Sequence, residues 1–160
     1  MGVYHQGGVV PTQAWLGQQK ELAASMGEVI WWRTYSPPVW LLDHNPIQTT
    51  DLMGTPFALM QHRVDLALAE EQGTGKTAVG LVAPFSSLEL EDSSWEERAM
   101  VFEEIYRYGR HLNLDDLDFR GEGVWGTLKR VVGRRGLVVW RVSRIPDMDG
   151  GEGGIMHGDW

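Results

Sequence analysis

Apolar positions along the chain fall into short runs with a period near 3.6 or of 2, and these runs set out the expected elements. Residues 12–26 place Trp15, Leu22 and Met26 on one side with polar Gln18 and Lys20 among the rest, predicting a helix that Gly27 ends. Residues 28–35 are rich in β-branched and aromatic side chains and read as a strand stopped by Pro37-Pro38. Val39 to Leu42 is a second, short strand before the Asp43-His44-Asn45-Pro46 turn. Residues 47–61 allow two readings: Thr55-Pro56 opens a helix through Phe57 and Met60, or Phe57 begins a strand; the strand is preferred. Val64, Leu66 and Leu68 then alternate, as do Thr77, Val79 and Leu81, on either side of Gln72-Gly73-Thr74-Gly75, which predicts a β-hairpin. A second helix starts from the pair Ser94 and Glu97, spaced as a capping box, and carries the stripe Trp95, Ala99, Phe102 and Tyr106 to an end at Gly109. Residues 124–132 and 137–145 form another hairpin around Gly133-Arg134-Arg135-Gly136.

The expected fold class is therefore α+β, a small antiparallel sheet or partial barrel of β-hairpins with two helices and extended terminal arms. Residues 1–145 make one domain with an N-terminal arm at 1–11, and residues 146–160 are a glycine-rich C-terminal arm.

Cysteine is absent, which excludes disulfides and thiolate metal sites and fits a reducing compartment or an assembly independent of oxidation. Residues 1–10 lack the basic start and apolar core of a signal peptide, and no apolar run approaches a membrane span, so a soluble chain is expected. The net charge of −8 argues against nucleic-acid binding over the whole surface, yet it is unevenly spread. Lys129, Arg130, Arg134, Arg135, Arg141 and Arg144 fall in a stretch without an acid, whereas residues 89–122 hold eleven acids against four arginines. Tryptophan occurs eight times, and Trp31 beside Trp32 on a strand must point to opposite faces, one of them toward something such as a partner chain.

Candidate chemistry is sparse. Gly73-Thr74-Gly75-Lys76-Thr77 imitates the end of a phosphate-binding loop, but Glu70 stands where its first glycine belongs and Gly80 and Pro84 interrupt the helix that should follow. Asp115, Asp116 and Asp118 suggest a calcium loop until Arg120 and Thr127 are found at ligand positions. His5, His44, His62, His111 and His157 show no zinc spacing, Ser86, Ser87, Ser93 and Ser94 no nucleophile elbow, and Glu103 and Glu104 no dyad on a helix. No catalytic residue, metal or cofactor is expected. Two features remain: the basic hairpin with Lys129, Arg130, Arg134 and Arg135, suited to phosphates or an acidic neighbour, and the tail, whose Ile155, Met156 and Trp160 suit a groove on an adjoining subunit. Opposed acidic and basic segments agree with a ring of identical subunits.

In its size, lack of cysteine, arginine-tipped hairpin and terminal arms, the chain resembles the small neck proteins of tailed bacteriophages: adaptors, head-closure proteins and tail terminators. That resemblance implies a non-enzymatic structural protein of the virion, assembled in the host cytoplasm as a ring in the head-to-tail connector. Its partners are then its own copies, portal, adaptor or tail subunits and packaged DNA, and not a membrane. Lys129, Arg130, Arg134 and Arg135 are implied to face the partner or the DNA channel, and Ile155, Met156 and Trp160 to form the subunit interface. The net acidity departs from a DNA-lining role, although acidic walls let DNA slide. Two other classes stay open: a small-molecule enzyme or nucleotide-binding protein using residues 73–77, and a cytosolic module that binds a peptide or acidic protein through the arginine hairpin.

Overall fold

The computed structural model describes residues 7–42, 45–87, 93–109 and 136–145. Helix α1 (Val9–Gln18) and a 3-10 turn (Lys20–Ala24) lead into strand β1 (Met26–Trp32). A second 3-10 turn (Val39–Leu42) precedes β2 (Gln48–Leu52), followed by α2 (Phe57–Thr74), β3 (Ala78–Pro84), the short α3 (Ser93–Glu97), β4 (Met100–Tyr108) and β5 (Leu137–Arg144). The strands form one sheet in the order β2-β1-β3-β5-β4. β1 is parallel to both β2 and β3, while β5 is antiparallel to β3 and β4. The α+β class is as expected, but the sheet is mixed, not a set of hairpins.

Layers on both faces explain the strand compositions. Met60, Val64, Ala67 and Leu68 recur on one side of α2 and pack on Ile30, Trp32, Val79, Leu81 and Trp140. On the opposite face Val9 and Leu16 of α1, with Leu42 and Ile47, cover Val29, Trp31, Val82 and Val139. Trp31 and Trp32 do point to opposite faces, yet both are buried within this chain, so no partner is needed to cover either. The α1 layer sits close: a Cβ on Gly17 would lie 2.2 Å from the carbonyl oxygen of Leu41.

Several expectations are corrected. The supposed hairpin strand around Val64 is the interior of α2, whose helix-forming residues outweigh a short alternation that leaves Leu66 exposed. The helix opens directly after Thr55-Pro56, so the helical reading of residues 57–61 replaces the strand. Residues 73–77 close α2 instead of turning a hairpin: Gly75 is left-handed at φ 79°, and the N–H of Lys76 donates to the Glu71 carbonyl at 3.1 Å. The order helix, glycines, strand is the reverse of a phosphate-binding loop. The second helix stops after Ser93–Glu97 because Ala99 takes φ 52° and the chain enters β4. The first helix breaks at Gln19, Gly27 lies within β1 rather than stopping a helix, and Val39–Leu42 is a 3-10 turn rather than a strand. β5 matches the expected strand over residues 137–145, whereas its proposed hairpin partner at 124–132 lies outside the described residues.

Candidate functional site

Three parallel strands deliver their carboxyl ends to one side of the sheet, the usual location of ligand crevices in such sheets. After Trp32 ends β1, Arg33 adopts φ 55°, a left-handed conformation that costs a non-glycine residue about 1–2 kcal/mol. The reversal carries Thr34 and Tyr35 across the strand end. After Leu52 ends β2, Gly54 turns at φ 78° and the Thr55 N–H donates to the Leu52 carbonyl at 3.0 Å, which brings Pro56 to the entry of α2. These two loops are pinned together: the Ser36 hydroxyl donates to an Asp51 carboxylate oxygen, whose other oxygen accepts the Met53 N–H at 3.0 Å.

Between the loops lies a crevice of about 620 Å³, bounded by Trp32 to Tyr35, Met53 to Phe57 and, beyond β3, Ser87. Its inner wall is rigid. The Trp32 indole Nε1–H donates to the Thr55 carbonyl at 2.7 Å, and the Phe57 ring lies 5.8 Å from Trp32 and edge-on to Trp95 at 5.5 Å. Trp95 meets Phe102 at 4.8 Å, so the wall is tied through the α2-side core to β4. The Arg33 guanidinium stands 5.4 Å from the Trp32 ring centre. At the mouth, Tyr35 and Met53 are more than half exposed. Rings, hydroxyls and one cation thus converge on a space of ligand size.

A second concavity of about 730 Å³ lies at the opposite end of the sheet, where Lys76 and Thr77 face Arg141, Ser143 and Arg144 with Glu103 nearby. Arg144 is engaged by the Asp65 carboxylate, which also holds Arg98 at 3.3 Å. The Lys76 segment therefore belongs to this groove and not to the crevice.

Lys129, Arg130, Arg134, Arg135, Ile155, Met156 and Trp160, together with the acidic turn at 115–118, lie outside the described residues. Among the described residues, no three His, Asp or Glu side chains gather as a metal site. Sequence reading missed the crevice. The one signal that points there is Thr55-Pro56 as a helix entry, which the competing strand reading obscures.

The chain is similar to three fungal proteins named GPI mannosyltransferase 4. It is 41% identical to that of Aspergillus oryzae over 90% of this chain and 32% of the relative, and 38% identical to that of Emericella nidulans over the same shares. The relative from Candida albicans is 34% identical over 74% of this chain and 23% of its own length. The chain thus spans about a third of the length of the curated relatives it matches. No protein-family model and no solved structure matches it.

These relatives overturn the phage reading. Proteins named as fungal mannosyltransferases are enzymes, so neither the neck-protein resemblance nor the non-enzymatic ring stands. The expected portal, adaptor, tail and DNA partners and the virion location fall with it, as do the nucleotide-binding and peptide-binding alternatives. Size, absent cysteine and a basic hairpin are compatible with too many proteins to have carried that inference.

Proposed function

We propose that the chain is a portion of a protein that transfers mannose to glycosylphosphatidylinositol, and that the crevice at the carboxyl ends of β1 and β2 is where this portion takes part. The observation that carries the reading is the 41% identity across nine-tenths of the chain to a protein of that name. An acceptor of this kind is a glycan on a lipid, so the reaction takes place at a membrane surface. Among the described residues no helix is long and apolar enough to cross a membrane.

We assign this portion a part in binding. Among the described residues three carboxylates are committed to structure: Glu28 to Thr50 and Arg63, Asp51 to the two crevice loops, Asp65 to Arg98 and Arg144. The crevice offers instead a fixed aromatic wall with polar groups at its rim, which suits recognition. The test is expression of the full-length protein in fungal cells depleted of their own GPI mannosyltransferase 4, followed by mass spectrometry of released GPI glycans. An added mannose is expected; unchanged glycans in the presence of folded protein would overturn the proposal.

A further inference from the structure

Resting on the reading that this chain is a portion of a longer enzyme, we infer that the outward side of α2 seats a helix from the remainder of the same polypeptide. α2 packs on the sheet through Met60, Val64, Ala67 and Leu68, and a helix covered on one side ordinarily carries charge on the other. Here the outward side reads Leu59, His62, Leu66, Ala69 and Gly73, all exposed and spaced alternately by three and four residues, without an acid or a permanent cation. Leu59 and Leu66 are 58% and 45% exposed. A helix apolar on both sides belongs in the interior of a larger body. Gly73 agrees with this. Glycine inside a helix is unfavourable relative to alanine, and a Cβ at this position would meet nothing among the described residues, so nothing in the chain itself calls for glycine there. A close neighbour from outside the chain accounts for it.

Size and charge select the occupant. With 18 residues the face is a strip about 27 Å long and about 10 Å wide. A stable dimer buries about 800 Å² on each partner, so this strip is too small to hold two separate copies together. A segment of the same polypeptide is kept close by its covalent connection, and a small area then suffices. About two thirds of the Aspergillus oryzae relative lies outside the part matched by this chain, so ample chain is present to supply it. A lipid surface suits the face poorly: helices that lie on membranes carry Lys and Arg beside their apolar side, whereas the exposed charge one turn from Leu66 is Glu70. That carboxylate is 65% exposed and held only by Arg63 at 3.6 Å. The seated helix is therefore apolar along Leu59 and Leu66 and basic where it passes Glu70.

The chain contains no cysteine, so single cysteines report on the face directly. Leu66→Cys and, as a control on β4, Val101→Cys start from an equal exposure of 45% and should react with N-ethylmaleimide at similar rates in the 160-residue chain. In a full-length Aspergillus oryzae relative whose matching segment is replaced by this chain, position 66 should react at least tenfold more slowly while position 101 keeps its rate, read by mass spectrometry of the labelled peptides. Adding Gly73→Leu should leave the isolated chain folded and restore fast reaction at position 66 in the full-length protein. A photo-crosslinking residue at position 59 should join α2 to a peptide from the other two thirds of the same molecule. Unchanged reaction at position 66, or equal slowing at positions 66 and 101, would overturn the inference. Crosslinks to a second copy or to lipid would do the same, as would protection lost when the folded protein moves from membranes into detergent. Protection without mannose transfer would leave the seat on α2 and remove the transferase reading; transfer with position 66 open would do the reverse.

Discussion

Glu28 is 3% exposed on β1, and its carboxylate accepts from the Thr50 hydroxyl and, at 2.6 Å, from Arg63 Nη2 of α2. A carboxylate withdrawn from water this far depends on its partners, because losing one leaves an uncompensated charge. Arg63 also reaches Glu70, but at 3.6 Å and with Glu70 65% exposed, so that second pair is screened by solvent. Arg63→Ala should therefore destabilise the chain by about 3 kcal/mol, the low end for breaking a buried pair because Arg63 is itself partly exposed. Glu70→Ala should change stability by less than about 0.5 kcal/mol. Urea unfolding of the two variants separates them, and equal losses would mean that Glu28 does not depend on Arg63. Gly17 poses a steric question instead of an electrostatic one. With backbone, not a flexible side chain, 2.2 Å from a built Cβ, Gly17→Ala must push α1 off the 39–42 turn and should cost about 1–3 kcal/mol by the same measurement.

At the scale of elements, β4 shows how an apolar stripe can mislead. Phe102 belongs to the α2-side core while Ile105, Tyr106 and Tyr108 pack on the α1 side, because a bulge between Glu104 and Tyr106 shifts the register against β5. Trp95, Ala99, Phe102 and Tyr106 match a helical period only because that break is invisible in sequence. The pairing with β5 outweighs the local signal, and among the described strands β4 lies at one end of the sheet and carries the charged Glu103, Glu104 and Arg107. The same strand carries a testable pair. Double hydrogen bonding from Arg107, at 2.8 Å to each oxygen, holds the Glu104 carboxyl below the usual range, against a smaller opposing effect of burial. A depressed carboxyl contributes stability above its unfolded value and loses that contribution as pH falls through the folded value, so the effect disappears only below about pH 4.5. In an NMR titration Arg107→Gln should raise the Glu104 midpoint to the ordinary range; an unmoved midpoint would mean the pair is not formed in solution. By contrast β5 was legible, since the apolar run Leu137, Val138, Val139, Trp140 and Val142 is what a strand buried on both faces carries. α2 was readable only over its 18 residues, not over the few positions around Val64 that also alternate. The crevice was not legible, because it depends on β1 and β2 ending side by side, a consequence of parallel pairing between segments about 20 residues apart. At the end of α2, the helix-to-strand turn offers no nucleotide cradle. Saturating ATP with magnesium should leave the thermal midpoint unchanged, in the wild type and in Lys76→Ala alike, and stabilisation abolished by Lys76→Ala would refute this.

For the whole molecule, the sheet divides the labour between its two faces and its ends. Both faces are covered, by α1 on one side and α2 on the other, so the buried framework is built from the chain's own residues. The crevice lies outside that framework, at a strand end. Damage to the two should therefore differ in kind when the chain replaces the matching segment of the full-length Aspergillus oryzae relative, which it resembles at 41% identity. Such a chimera should retain mannosyl transfer if this segment folds around its own core. Trp31→Ala, which empties a fully buried site, should cost about 3–5 kcal/mol and lower Vmax through loss of folded enzyme, with KM unchanged in what remains. Tyr35→Ala, at a residue 54% exposed, should keep the amount of enzyme and raise KM. Kinetics on membranes normalised to folded protein distinguish these outcomes. If both variants act only through protein abundance, the crevice has no part in substrate binding and this portion serves as scaffold alone.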